Sequence, residues 1–178
     1  MIRARIARLD EFIKNILDYS RSSRMGIQTE RIDLRQTIQA VVTALSGSKE
    51  SDGIRFEVDV NQSQPFFSDR HSVTTLLENL LSNAIRFTDK NKDDAHITII
   101  AHTYANQLEL AIKDNGIGIA EESQGKIFDM FFRLSGAVPG SGLGLYIVKS
   151  IVEKIGGTIS VESQIGVGTT FNIQLQNT

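Results

Sequence analysis

The sequence predicts an α+β fold, a two-layer sandwich whose single mixed sheet is covered by helices on one face, preceded by one long coiled-coil-like helix. Three observations predict it. Apolar and polar residues alternate over 54–60, 96–102 and 107–113, the two-residue period of half-buried strands. Apolar residues recur at three- and four-residue steps over 70–87 and 144–155, the mark of helices that bury one face. At the amino terminus Ile2, Ile6, Leu9, Ile13 and Ile16 step by four, three, four and three, a stricter heptad spacing.

That first segment reads as one helix, with Phe12, Leu17 and Tyr19 widening the apolar stripe and Arg5, Arg8, Asp10, Lys14 and Asp18 at the other positions. A seam of this length needs a partner helix, and a homodimer through residues 2–20 is expected; the alternative is packing onto its own globular domain. Formal charge shifts near Gly26, from +3 over residues 1–25 to −5 over the remainder. The expected organisation is therefore a partial dimerisation-type helix at 1–25 and a globular domain at 26–178.

Within that domain Asp33 and Gln36 have the spacing of a capping box, and Ile38, Val41, Val42 and Leu45 continue a helix to about Gly47. A strand over 54–60 is followed by a turn at 61–65. The helix over 70–87 carries Val73, Leu76, Leu77, Leu80, Leu81, Ala84 and Ile85 on its apolar side. Strands 96–102 and 107–113 are joined by a link short enough for an antiparallel hairpin. A helix around 121–132, a Gly/Pro loop, a helix over 144–155 and strands near 158–162 and 169–174 complete the prediction.

The chain has 178 residues, 40% hydrophobic and 22% charged, enough for one packed domain and a modest appendage. A formal net charge of −2 provides no field for nucleic acid or anionic membrane, and no nucleic-acid partner is expected. No apolar run approaches the ~18 residues that would span a bilayer, and the charged first twenty residues lack a signal-peptide core. With no cysteine, the sequence excludes disulfides, a thiolate nucleophile and a sulfur-ligated zinc. A cytoplasmic location fits these features.

Chemistry concentrates at three glycine-rich sites: 114–119 (Asp-Asn-Gly-Ile-Gly-Ile), 140–145 (Gly-Ser-Gly-Leu-Gly-Leu) and 166–171 (Gly-Val-Gly-Thr-Thr-Phe). Each alone is a turn as readily as a site. The second is not a dinucleotide fingerprint, because no strand ends just before it and no parallel crossover surrounds it. It does place Gly140, Gly142 and Gly144 at the start of a helix, where backbone N–H groups and the macrodipole favour phosphate. On the 70–87 helix Asn79, Asn83 and Arg86 share one face, opposite the leucines. Asparagine is a poor helix former, so two of them in a helix interior suggest a task, although both can simply face water. A carboxamide oxygen suits Mg²⁺, which keeps several waters and shares substrate phosphates, and Arg86 can meet phosphate charge. Asp114 repels phosphate but can accept from an exocyclic amine; it can equally be an Asx-turn residue.

In order along the chain, residues 78–88 (Glu-Asn-Leu-Leu-Ser-Asn-Ala-Ile-Arg-Phe-Thr) resemble the asparagine box of sensor histidine kinases, and 114–119 their first glycine box. Residues 126–133 (Lys-Ile-Phe-Asp-Met-Phe-Phe-Arg) resemble the phenylalanine box, 140–145 the second glycine box, and 166–171 the final glycine and threonine motif. The resemblance spans essentially the whole chain. It implies the Bergerat ATP-binding fold shared with type II topoisomerases, Hsp90 chaperones and MutL proteins, with ATP and Mg²⁺ as ligands. Position by position it implies that Asn83 ligates Mg²⁺, that Asn79 lies beside the phosphates, that Arg86 is the basic residue of the box and that Phe87 lies against adenine. Asp114 would bind the adenine amino group, with Gly116 and Ile119 in the same box, Gly118 permitting close approach and Thr169 helping through water. Residues 134–139 would form a lid, short for the family, held by Gly140, Gly142, Leu143, Gly144 and Leu145, and Arg133 would contact the γ-phosphate.

Residues 9–21 resemble the second helix of the histidine kinase dimerisation domain, which ends in a similar Leu-x-x-Ser-Arg pattern. The first helix of that module carries the phosphate-accepting histidine. Here only His71, His96 and His102 occur, none followed by an acidic residue, so all three are expected to be structural or surface residues. The resemblance implies an ATP-dependent protein-histidine kinase that lacks its acceptor helix in this chain, acts with a response-regulator receiver domain, and is either part of a larger sensor or active in trans. Two alternatives are an ATP-hydrolysing clamp and a nucleotide-binding dimerisation module without catalysis. The clamps place a Glu general base where this chain has Asn79, and Glu78 lies about 100 degrees around the helix from it.

Overall fold

The computed structural model describes residues 26–134 and 141–177. In chain order the elements are β1 (Thr29–Ile32), α1 (Leu34–Ser46), β2 (Arg55–Asn61), β3 (Phe66–Asp69), α2 (Arg70–Arg86), β4 (His96–Thr103), β5 (Gln107–Asp114), α3 (Glu121–Gln124), α4 (Gly144–Lys154), β6 (Thr158–Gln164) and β7 (Gly168–Gln176). A 3-10 turn at Lys49–Ser51 links α1 to β2.

Five strands form one sheet in the order β2-β4-β5-β7-β6. The three pairings among β4, β5, β7 and β6 are antiparallel. Strand β2 joins β4 in parallel because the chain between them crosses over through α2, which makes the sheet mixed as expected. Period-two patterning decides which face is covered. Ile97, Ile99 and Ala101 of β4 and Leu108, Leu110 and Ile112 of β5 are buried, whereas Thr98, Ile100, Glu109 and Lys113 point to the other side. The covering layer is α1, α2 and α4. Leu76, Leu77, Leu80 and Leu81 of α2 meet Ile147, Val148, Ile151 and Val152 of α4 in the same core. Each such side chain contributes about 1.5–3 kcal/mol when fully buried.

Two aspartates set where the first two long helices begin. The Asp33 carboxylate accepts from the Gln36 amide at 2.9 Å, so the predicted cap of α1 is present. Asp69 caps α2 by accepting from the Ser72 amide at 2.7 Å, and its second oxygen accepts from the Gln28 amide at 3.0 Å. Burial raises the Asp69 pKa, but the backbone donors of Gln28 and Ser72, the Ser72 hydroxyl and the nearby His71 outweigh it and hold the carboxyl below its ordinary value.

Two features differ from expectation. The helix foreseen over 121–132 is helical only at Glu121–Gln124. Beyond Gly125 the chain continues through short turns, Asp129 N–H to Lys126 O and Phe132 N–H to Asp129 O, and Phe131 takes a left-handed conformation at φ 67°. These turns sink Ile127 and, partly, Phe128 and Phe132 into the core, and Phe128 meets Phe171 edge-on at 6.3 Å between ring centres. A continuous helix would not let the left-handed Phe131 N–H reach Gly142 O, which it does at 3.0 Å. The second difference is an unforeseen two-stranded antiparallel sheet of β1 and β3, which pairs Ile32 with Phe66, both fully buried. The predicted helix over 1–25, Gly140 and most of the 134–139 lid lie outside the described residues.

Candidate functional site

A cleft opens between α2, the start of α4, the end of β5 and the beginning of β7. From α2 it receives Asn79, Asn83 and Arg86, with Phe87 at the helix end. The leucines of the opposite face bury α2 against the sheet, so the polar row is left facing the cleft by the same 3.6-residue period. The Asn79 Nδ2 donates to Thr75 O at 2.8 Å, which leaves its Oδ1 directed at α4. A Cβ on Gly144 would lie 3.0 Å from that oxygen and 3.8 Å from Asn83 Nδ2, so glycine is what lets the first residue of α4 stand against both asparagines.

The two helices that cap the core begin with aspartates, but α4 begins with Leu143 and no side chain caps it. Leu143 is buried and does not line the cleft, whereas Gly142, Gly144 and Leu145 do. An uncapped helix start facing a cleft is an arrangement that accepts anionic oxygen. Arg133 and Ser141 line the same end.

The opposite end is built around Asp114, the last residue of β5, which is only 7% exposed. Its Oδ1 accepts from the Gly116 amide at 2.9 Å. Burial raises its pKa above the ordinary carboxylate value, against the pull of the backbone donors Gly116 and Thr169 and of the charges on Lys92 and His96. A buried carboxylate with spare acceptor capacity facing a cleft is suited to a neutral N–H donor. Gly116 does not line the cleft: a Cβ there would sit 2.3 Å from Phe87 O, so its smallness lets the turn pass beneath the end of α2. Gly118 has φ +72°, and the close approach that it permits is to the β6–β7 turn, where a Cβ would meet Gln164 O at 2.0 Å. Thr169 is held through Ser163, whose Oγ accepts from the Ile119 amide at 2.8 Å and stands 3.0 Å from Thr169 Oγ1.

Residues 68–178 match the model of the family described as histidine kinase-, DNA gyrase B- and HSP90-like ATPase. The chain belongs to this ATPase family. It is 34% identical over 174 residues to cyanobacterial phytochrome B of Nostoc sp., covering 96% of this chain and 23% of that protein. With the histidine protein kinase DivJ of Caulobacter vibrioides it shares 29% identity over 177 residues, 93% of this chain and 28% of that one. The chain therefore spans about a quarter of the length of these relatives. Among solved structures, the catalytic domain of histidine kinase ThkA superposes with a TM-score of 0.72 at 26% identity, covering 86% of this chain and 99% of that domain. Full-length ShkA in complex with AMPPNP shares the fold, with a TM-score of 0.80 at 22% identity over 93% of this chain and 35% of that one. The architecture is that of the ATP-binding catalytic domain of sensor histidine kinases.

In this ATPase-family cleft the structure brings together Asn79, Asn83, Arg86, Phe87, Asp114, Gly118 and Ile119. Arg133, Gly142, Gly144, Leu145 and Thr169 join them. Gly116 and Leu143 support the walls, and Gly140 lies outside the described residues. Ser82, Ala84, Ile127, Phe132, Ser141 and Phe171 also line the cleft; none carries a chemical signal of its own in the sequence, but each falls inside one of the five motifs. Glu78 is exposed and absent from the lining. Among the described residues no three His, Cys, Asp or Glu side chains gather as a metal cage. The cleft's donor set instead fits a hard cation held by one carboxamide together with phosphate oxygens and water, with Asn83 as the candidate ligand.

Proposed function

We propose that this chain binds ATP with Mg²⁺ in the α2–α4 cleft and transfers the γ-phosphoryl group to a histidine nitrogen, from which an aspartate of a response-regulator receiver domain takes it. The observation that carries the reading is the polarity of the cleft: a buried carboxylate at one end and, at the other, two carboxamides, Arg86, Arg133 and an uncapped helix start. Asp114 would accept from the adenine amino group, Phe87 would lie against the base, and Thr169 would assist through water. Asn83 would ligate Mg²⁺, which when bound neutralises charge on the phosphates. Asn79 would stand beside them, and Arg86 and Arg133 would receive the charge that builds on the transferring group.

In the transfer the bond from γ-phosphorus to the bridging oxygen breaks as a bond to histidine nitrogen forms, leaving ADP. None of His71, His96 and His102 lines the cleft, so the acceptor is another histidine, presented by a dimerisation helix. Residues 2–20 would pair with a second copy of the chain. Kinase rather than hydrolase is favoured by Glu78, which is exposed and cannot address a water beside Asn79. No helix among the described residues is long and apolar enough to cross a membrane. A cytoplasmic place, where ATP and a receiver domain are both met, goes with this reading.

The test incubates the full chain with Mg²⁺ and γ-labelled ATP and measures both free phosphate and acid-labile phosphate on protein. The expected result is neither from the chain alone, and label on a histidine-bearing dimerisation helix when one is added in trans. Steady phosphate release with no transfer to that helix would overturn the kinase reading in favour of a clamp.

A further inference from the structure

Lys92 lies in the loop between α2 and β4, outside all five motifs. Its ammonium donates to three backbone carbonyls, Asn115 O at 2.6 Å, Gly166 O at 2.9 Å and Val167 O at 3.3 Å. A lysine has three N–H donors on one compact charge, and this arrangement matches all three with carbonyl dipoles rather than with a carboxylate. The three acceptors lie 23, 74 and 75 positions away in sequence, so the contact ties together segments that nothing local would hold.

Those segments are the turn after β5 and the turn between β6 and β7, the two that flank Asp114. They are further joined by the Gly166 amide, which donates to Ile117 O at 2.8 Å, and by Gly168, whose Cα lies so close to Asp114 O that a Cβ would come within 2.0 Å. Asn115 extends the junction to β4: its Oδ1 accepts from the His96 amide at 2.9 Å, and its Nδ2 donates to Asp94 O at 3.0 Å. The backbone donors of the Asp114 carboxylate stand at the edges of these turns: Gly116 lies in the first, and Thr169 in β7, two residues past the Val167 of the second.

We infer that Lys92 is a positioning residue for base recognition: by clamping the turn that carries Gly116 to the turn that leads into Thr169, it fixes the direction in which the Asp114 carboxylate faces the cleft and so sets affinity and selectivity for the adenine base. The inference rests on the ATP reading above. Its electrostatic side is consistent with it. The charged groups that act on Asp114 are Lys92 from the loop and His96 from β4, and both favour the ionised carboxylate against burial.

The experiment compares the full chain with Lys92→Met, which keeps an unbranched stem and removes the ammonium. Binding of ADP, GDP and inorganic tripolyphosphate is measured by calorimetry, with ADP repeated across a pH series. Lys92→Met should weaken ADP by about ten-fold and narrow the ADP-over-GDP preference by a similar factor, the scale of one hydrogen bond to a charged group. Tripolyphosphate binding should not change, because the phosphate end rests on α2 and α4. The acid limb of ADP binding should move to higher pH, since loss of the positive charge lets burial raise the Asp114 pKa further. Lys92→Arg keeps the charge in a planar fork that cannot match three converging carbonyls; it should lose part of the ADP affinity while its acid limb stays near the parent's. That variant carries the same comparison should Lys92→Met fail to fold. Unchanged ADP affinity, or equal losses for ADP and tripolyphosphate, would overturn the positioning role. An unmutated chain that binds no ADP would overturn the nucleotide reading itself, a result read without any variant.

Discussion

Replacing Asp114 by asparagine separates recognition from stability more cleanly than any other change in this cleft. The carboxylate is 7% exposed, and its Oδ1 is already committed to the Gly116 amide at 2.9 Å. Asparagine can keep that bond with its single oxygen, which leaves the NH₂ group pointing where the second carboxylate oxygen had been. An adenine amine would then face a donor rather than an acceptor. A hydrogen bond to a charged group is worth about 1.5–3 kcal/mol, so ADP affinity should fall by roughly 10- to 150-fold. Stability should move the other way. Because burial raises the native pKa of Asp114, the folded chain holds this proton to higher pH than the unfolded chain does. Stability therefore falls as pH rises from the ordinary carboxylate value to the native one, and the deficit persists above that window. The substituted carboxamide has no proton to lose, so thermal melts of Asp114→Asn should equal the parent below the window and match or exceed it above. Calorimetric titration with ADP near neutral pH and melts across the acid range test both halves. Unchanged ADP affinity would refute the recognition argument, and a large loss of stability at neutral pH would refute the account of the buried charge.

Asn83→Ala should abolish the Mg²⁺-dependent part of ATP binding, and near-normal binding with an intact Mg²⁺ dependence in titrations would exclude Asn83 as the metal ligand. Gly118→Ala must place a Cβ 2.0 Å from Gln164 O at a φ of +72°, so a stability loss of at least about 1–3 kcal/mol is expected in urea unfolding, with unfolding unchanged as the contrary result. Asp69→Ala removes the α2 cap and the bond to Gln28, costing about 1 kcal/mol or more. Since the native Asp69 pKa is lowered, its stabilisation is present above the ordinary carboxylate value and lost as pH falls through the native one, so the variant's melting temperature should depend less on pH at the acid end. Glu78→Gln should leave phosphoryl transfer to an added histidine-bearing dimerisation helix unaltered, and a loss of that transfer would mean that Glu78 serves as a base.

What the sequence made legible depended on the range over which each signal acts. Strands β4 and β5 and helices α2 and α4 were readable because burial on one face imprints a period of 2.0 or 3.6 on the residues themselves. The sheet of β1 and β3 was not, since four-residue strands carry almost no period and Thr29 pairs with Asp69 forty positions away. The 121–132 segment misled for a related reason: Ile127, Phe128 and Phe132 are core residues, but each is delivered by its own turn, and the left-handed backbone at Phe131 has no sequence signature. Asn79, Asn83 and Asp114 were readable as candidates, and line the cleft, because polar side chains are out of place where they stand, in a helix interior and at the end of a buried strand. Lys92 was not, because an exposed-looking lysine in a polar loop gives no hint of three carbonyls drawn from two distant turns.

The two ends of the cleft are also built by different means, and this bears on how the site can change. The end proposed for the phosphates rests on α2 and the start of α4, whose leucine and valine faces are buried, so its geometry is secured by the core. At the end proposed for the base, Asp114 is flanked by turns whose shape depends on positive φ at Gly118, Gly166 and Gly168 and on side-chain ties from Lys92, Asn115 and Ser163. Substitutions in the core should therefore weaken all nucleotides together. Substitutions in the turns should alter the choice of base while the hold on the phosphates stays as it was, and it is in those turns that a relative with a different base preference would be expected to differ.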